Sequence, residues 1–217
     1  MKSRFDLIIF DWDGTLVDSI DWIVTCLQHA AVSCNCTIPE RQAAKDVIGL
    51  STKNAIQTLF TGADEETRNQ LMSCYIEAFF ARQISRDDLF AGVYEMLVQL
   101  KRAGFQLAVA TGKSRAGLDK ALQATGTEDL FDITRCADET ASKPDPAMVL
   151  DIIQHVEVAN ERTLMVGDSI HDMQMALNAQ IASIAVSCGA HSKEILQQYN
   201  PLTCLQQPAE LLAIIGG

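Results

Sequence analysis

Two patterns of apolar positions alternate along the chain, and each predicts a different element. Phe5, Leu7, Ile8, Ile9 and Phe10 form a short run that ends at an acidic, glycine-bearing turn, as expected of a strand buried on both faces. Residues 105–110, 163–166 and 181–186 have the same form, each followed by a polar or glycine turn, and a weaker strand is expected over 131–136. Between these runs, Val93, Met96, Leu97 and Leu100 fall at i, i+3, i+4 and i+7, with Gly104 placed to end the helix. Val149, Ile152, Ile153 and Val156 repeat that spacing after Pro144 and Pro146, whose fixed φ suits a helix entry. Leu118, Ala121 and Leu122 mark a further helix, and Met173, Ala176 and Leu177 another. Strands alternating with helices predict an α/β fold, a doubly wound parallel sheet covered by helices on both faces.

One segment breaks the alternation. Between Leu16 and about Leu89 no strand pattern occurs, only helical periodicity. Ile20, Ile23, Val24 and Leu27 make one apolar face and Leu71, Tyr75, Ala78 and Phe79 another, while Pro39, Gly49 and Gly62 divide the segment into about four helices. The expected organisation is a core of residues 1–16 and 90–217 with a helical cap, 17–89, inserted after the first strand.

Composition narrows the class without specifying the chemistry. The 217 residues are 48% hydrophobic and 21% charged, as in ordinary globular proteins, and a chain of this length builds its core without disulfides. The formal net charge is −11 and no basic run exceeds Lys101-Arg102, which argues against a nucleic-acid surface. No apolar stretch is long enough to span a membrane. Met1 to Arg4 lead straight into the first strand with no apolar signal core, so a cytoplasmic location is expected. Seven cysteines without a Cys-x-x-Cys pair fit free thiols in a reducing compartment; Cys34 and Cys36 lack nearby histidines and make a poor zinc site.

The polar residues that matter cluster where the strands end. Open parallel sheets bind ligands at the carboxyl ends of their strands, near the point where strand order reverses. Asp11, Asp13, Gly14 and Thr15 follow the first strand, Thr111, Gly112, Lys113 and Ser114 the second, and Gly167, Asp168 and Asp172 the fourth, while Ser142 and Lys143 precede a helix. Two close carboxylates repel unless a cation lies between them, and carboxylate and carbonyl oxygens suit Mg²⁺. Thr111 and the amides after it form an anion site at a helix start, and Lys143 adds a cation for phosphate oxygens. Carboxylates, a divalent metal, an amide nest and a lysine together describe phosphoryl transfer.

These clusters resemble, in order, the signature motifs of the haloacid dehalogenase-like superfamily. Asp11-Trp-Asp-Gly-Thr-Leu-Val-Asp18 is similar to its first motif, Thr111 to the second, Lys143 to the third, and Gly167-Asp-Ser-Ile-His-Asp172 to the fourth. The resemblance implies that Asp11 is the nucleophile and Asp13 the general acid and base. It implies that Thr111, Gly112 and Lys143 bind the phosphoryl group. It also implies that Asp11, Asp168 and the backbone carbonyl of Asp13 hold Mg²⁺, with Asp172 one layer out from the ion. The insertion between the first and second motifs resembles the helical-cap subclass, and Gly49-Leu-Ser51, Ala110-Thr-Gly-Lys-Ser114 and the fourth motif look most like phosphoglycolate phosphatase and its relatives. The expected activity is therefore hydrolysis of a small phosphorylated metabolite, with phosphoglycolate first. Trp12 departs from the family, which usually has Phe, Leu or Met there; strand alternation points it away from the two aspartates.

Other readings stay open. A pyrophosphatase or nucleotide phosphatase would differ only in cap contacts. A mutase of the β-phosphoglucomutase type usually has Glu-Asp in the fourth motif, where this chain has Gly167-Asp168. A dehalogenase would leave Asp13 without a task, and phosphonate-cleaving relatives lack that residue. A catalytically silent binding module should have lost one of Asp11, Asp13, Lys143 or Asp168, and all are present. Lys113, Ser114, Arg115, Ser51, Lys53 and Asn54 suit helix starts as well as substrate contacts. Asp18 reads as a local cap and His171 as solvated, Gly49 as a hinge or close-approach point, and Trp22, Phe79 and Phe80 as cap core.

Overall fold

Residues 4–215 are described by a computed structural model. The first three residues of the segment read above for a signal core lie outside that range. In chain order the elements are β1 (Leu7–Phe10), α1 (Ile20–Ser33), α2 (Arg41–Asp46), α3 (Thr52–Leu59), α4 (Glu65–Phe80), α5 (Val93–Arg102), β2 (Gln106–Thr111), α6 (Arg115–Thr125), β3 (Ile133–Cys136) and α7 (Ala147–Val156). They continue with β4 (Thr163–Gly167), α8 (Ile170–Asn178), β5 (Ala182–Val186), α9 (Lys193–Leu196), β6 (Cys204–Leu205) and α10 (Leu211–Ile215).

β1 explains why the sheet needs helices on both sides. All four of its residues are buried, and the two-residue period sends them alternately to opposite faces. Ile8 and Phe10 enter a layer with Leu97 and Leu100 of α5, Val109 of β2 and Leu118 of α6. Leu7 and Ile9 enter the other, with Val149 and Ile152 of α7 and Met175 and Ala176 of α8. Each such side chain contributes about 1.5–3 kcal/mol of burial, so both faces hold β1 at the centre of the sheet.

The sheet is parallel throughout, in the order β3-β2-β1-β4-β5-β6. The chain builds outward from β1 through β2 to β3, then crosses back to lay β4 against the other side of β1. Phe10 is in register with Val109 on one side and Val166 on the other, so the ends of β1, β2 and β4 lie together at the reversal point. The strands begin and end within a residue or two of those predicted. β6 was not foreseen: it has two residues, pairs only through Cys204 and Leu205, and carries too little chain for a period to register.

The inserted helices pack on one another and on the sheet's carboxyl edge. Ile20, Ile23, Val24 and Leu27 of α1 are buried with Ala44, Val47, Ile48, Ala55 and Phe79. The two linkers run side by side, joined by an antiparallel bridge between Val17 and Leu89 and by bonds from Asp18 N–H to the Asp88 carbonyl (2.9 Å) and from Phe90 N–H to the Leu16 carbonyl (3.0 Å). The seven cysteines are free thiols. Among the described residues no helix is long and apolar enough to cross a membrane.

Trp12 points away from the polar edge, as alternation predicts. It is fully buried in the layer beneath β1, edge-on to Phe131 with ring centroids 6.4 Å apart. Trp12→Ala is expected to cost about 3–5 kcal/mol, read as a lower urea midpoint at unchanged m value.

Candidate active site

Strand geometry brings the first set of polar side chains together. Asp11 is the first residue past β1, its N–H bonded to the Val166 carbonyl of β4 (3.0 Å). Asp168 follows β4, Thr111 ends β2, and Asp172 sits on the first turn of α8. The carboxylate oxygens of Asp11, Asp168 and Asp172 lie within 4.8 Å of one another, and all three residues are buried. Lys143, 1% exposed, enters between them: its Nζ is 2.6 Å from Asp172 Oδ1 and 2.8 Å from Asp11 Oδ1.

Local sequence fixes each carboxylate differently. Ser169 N-caps α8, and in return Asp172 Oδ2 accepts from the Ser169 N–H (3.0 Å) and hydroxyl (2.6 Å). With Lys143 on its other oxygen, both oxygens of Asp172 are bonded. Asp168 Oδ1 accepts from the Thr15 hydroxyl (2.7 Å) and Oδ2 from the Ala190 N–H (2.8 Å). Gly14 makes room for this, since a Cβ on its left-handed backbone (φ 76°) would stand 2.2 Å from Asp168 Oδ2. Asp11 is the exception. Asp11 Oδ1 is buried, and its one partner is the Lys143 ammonium, an ion pair at 2.8 Å.

The electrostatics of the cluster are short of positive charge. Burial, and then the charge of Asp172, hold the Asp11 carboxyl well above the ordinary range, against the pull of Lys143. Burial and Asp172 likewise push Asp168 up to about 7, although the Ala190 N–H and Thr15 work the other way. Burial disfavours the ammonium of Lys143, but Asp11 and Asp172 outweigh it and keep the group charged. Three carboxylates around one ammonium fit a divalent cation held by oxygen ligands.

Asp13 stands apart from this trio. Its carboxylate accepts from the Ser19 hydroxyl (2.7 Å) and is paired through both oxygens with Lys113 Nζ (2.9 and 3.1 Å). Lys113 also lies 4.5 Å from the centroid of the Phe79 ring, so one ammonium ties Asp13 to the inserted helices. The position of Lys113, two residues past Thr111 at a strand end, is the sequence signal for this pairing. Ser19 carried no signal, because only the fold brings the start of α1 to Asp13.

The inserted segment closes over these residues around a cavity of about 530 Å³. Asp11, Asp13, Thr111, Gly112 and Lys113 line one side. Gly112 is in close contact with the insertion: a Cβ there would stand 2.5 Å from the Gly49 carbonyl and 2.3 Å from that of Leu50. Gly49 itself takes φ 99° beside Ser169, matching its reading as a close-approach point. The Ser51 N–H donates to the Ser142 hydroxyl (2.9 Å), and His171 Nε2 lies 2.8 Å from the Asp46 carbonyl, so His171 is a contact between core and insertion.

The remaining candidates divide. Ser51 and Lys53 line the cavity and Asn54 does not; Ser51 also caps α3 by accepting from the Asn54 N–H (3.2 Å). Ser114 lines it while capping α6. Arg115 turns away to Asp119, Thr134 and Glu139. Phe79 is buried core as expected, but Phe80 is 41% exposed and faces the cavity.

Known proteins resemble this chain over nearly its whole length. Residues 8–186 match the family described as haloacid dehalogenase-like hydrolase. The chain is 33% identical over 210 residues to "Probable phosphatase IndB" of Dickeya dadantii, covering 95% of this chain and 91% of that protein. It is 30% identical over 218 residues to pyrophosphatase PpaX of Bacillus velezensis, covering 99% and 98%. A solved structure from Haemophilus somnus 129PT, described as a "predicted phosphoglycolate phosphatase", superposes with a TM-score of 0.82 at 23% identity, covering 97% of each chain. The match over most of the sequence, on a sheet that gathers all four polar clusters at one edge, places the chain in the haloacid dehalogenase-like hydrolase family.

Proposed function

We propose that the protein is a Mg²⁺-dependent phosphomonoester hydrolase that forms an aspartyl-phosphate on Asp11. The observation that carries this reading is the state of Asp11. It is a buried carboxylate at a strand end, with Oδ1 ion-paired to Lys143 and accepting no other bond, on the wall of a cavity shared with Thr111 and Gly112. A structural aspartate in such a place would be fully hydrogen-bonded. The relatives named as a phosphatase and a pyrophosphatase support the same class.

In the first step an Asp11 oxygen attacks phosphorus in line, the bond from phosphorus to the departing oxygen breaks, and Asp13 gives that oxygen its proton. Water then attacks the phosphorus of the aspartyl-phosphate, gives a proton to Asp13, and the Asp11 carboxylate leaves. Thr111 and the Gly112 amide hold the phosphoryl oxygens, and Lys143 offsets their charge. Asp13 can serve both steps only if Lys113 releases it as substrate enters. Asp11, Asp168 and the Asp13 carbonyl would hold Mg²⁺, which when bound offsets charge on the phosphoryl oxygens and on the crowded carboxylates. Asp172, its oxygens already taken by Lys143 and Ser169, orients the lysine.

Residues 17–89 serve in this reading as a cap that closes over a small phosphorylated substrate and excludes water. Phosphoglycolate, first on the sequence resemblance, and pyrophosphate, the substrate class in the name of one relative, are the two compact candidates to compare in a substrate panel.

Asp11→Asn should reduce hydrolysis of p-nitrophenyl phosphate by about 10³-fold or more with the fold intact; near wild-type turnover, with deamidation excluded, would end the proposal. Excess chelator should abolish wild-type activity, and Mg²⁺ restore it.

The carboxylates also predict a pH-dependent response to metal. Asp168 rises from an ordinary value of 3.8 to about 7 in the metal-free fold, so the folded state holds its proton longer than the unfolded chain. That stability is complete below the ordinary value and is lost as pH climbs through about 7. His171 and His191, held low by burial, pull the other way, losing stability as pH falls. The informative quantity is therefore the rise in Tm on adding Mg²⁺, which should be larger near pH 8 than near pH 5.5. An equal rise at both would contradict the assignment.

A further inference from the structure

The cavity wall opposite Asp11 is built for something other than a compact anion. Met72, Tyr75, Ile76, Phe79 and Phe80 of α4 all line it, at i, i+3, i+4, i+7 and i+8, so one whole stripe of the helix faces the site. Only part of that stripe is accounted for by the insertion's own core. Phe79 is buried there, but Ile76 is 43% and Phe80 41% exposed, apolar surface left facing the substrate space. Ile23, Leu27 and Val47 extend the same wall.

Size agrees with the lining. At ~30 Å³ per water, about 530 Å³ has room for well over ten waters, whereas the two-carbon acid of phosphoglycolate or a second phosphoryl group fills a small part. No arginine lines the cavity among the described residues, so no fork for a carboxylate or phosphoryl group is present. Three lysines do line it: Lys113 is paired with Asp13, Lys120 lies 4.6 Å from the centroid of the Phe80 ring, and Lys53 stands at the start of α3. The Tyr75 ring completes the wall, its hydroxyl held far from ionisation by burial and then by the charge of Asp13.

We infer that the alcohol released from the substrate carries an apolar or planar ring, which the α4 stripe recognises. This rests on the phosphatase reading above and narrows it: phosphorus is handled at the sheet edge, and the ring lies against Met72, Tyr75, Ile76 and Phe80. Ring faces and edges suit aromatic walls, and methionine adapts to flat surfaces.

The test compares 1-naphthyl phosphate with 2-phosphoglycolate and pyrophosphate, all with Mg²⁺. Wild-type kcat/KM should favour the ring-bearing ester by about tenfold or more. Ile76→Glu, at an exposed position, should lower that preference by about tenfold in protein with an unchanged circular-dichroism spectrum. Equal or better turnover of either compact anion, or a preference that Ile76→Glu leaves unmoved, overturns the inference while the phosphatase reading stands. If no ester is hydrolysed, it is the phosphatase reading that fails. Calorimetric binding to Asp11→Asn then still decides the ring: tighter binding of 1-naphthyl phosphate supports it, and equal or weaker binding overturns it.

Discussion

The ammonium of Lys143, buried between Asp11 and Asp172, is the contact on which the site's architecture depends. Taking a charge out of water costs several kcal/mol, and its attraction to buried partners offsets this only when the geometry is good. Here the partners come from the end of β1 and the start of α8, so the lysine is neutralised only where β1 lies beside β4, the strand that leads into α8. Removing it would leave three carboxylates crowded within 4.8 Å without a compensating charge. The fold and the chemistry therefore constrain each other at one point.

That point is rigid because each carboxylate has its own support. Asp172 is held by a helix cap, Asp168 by a threonine and a loop amide, and Asp11 by its backbone bond to β4. None of these contacts involves the inserted helices. Asp13 is different, since Ser19 and Lys113 tie it to the start of α1 and, through the Phe79 ring, to the end of α4. On the proposed mechanism, the group that gives and takes the proton is thus the one in contact with the inserted helices. Gly112 brings the loop after β2 against the insertion as well, because only a residue without a Cβ lets the Gly49 and Leu50 carbonyls come so near.

Much of this was legible in the sequence, for physical reasons that differ by element. β1, β2, β4 and β5 were readable because strands buried on both faces must be apolar throughout. Asp11, Thr111 and Asp168 were readable because they fall at the ends of those runs, and Lys143 and Asp172 because they complete the motif order that the first three begin. The pairing of Lys143 with Asp11 and Asp172 and the cap bonds to Asp172 were not, since they depend on geometry that spacing does not encode. β6 escaped because two paired residues carry no period. Phe80 was misjudged for a more instructive reason: periodicity says that a residue lies on an apolar face, not whether the face meets core or ligand.

α4 carries that ambiguity through the whole molecule. A single stripe of side chains supplies Phe79 to the core of the insertion and leaves Ile76 and Phe80 toward the cavity. Burial fixes the first role, so the helix cannot rotate without losing its own packing. The second role is free to vary, because half-exposed positions tolerate exchange at little cost to stability. A family that keeps one phosphoryl-transfer edge can then change what it hydrolyses by altering a few residues on one helix, with the sheet and its four loops untouched. On this view the likeness to proteins named for different phosphorylated substrates is expected. They share the edge that handles phosphorus, and the wall that meets the rest of the molecule is where they are free to differ.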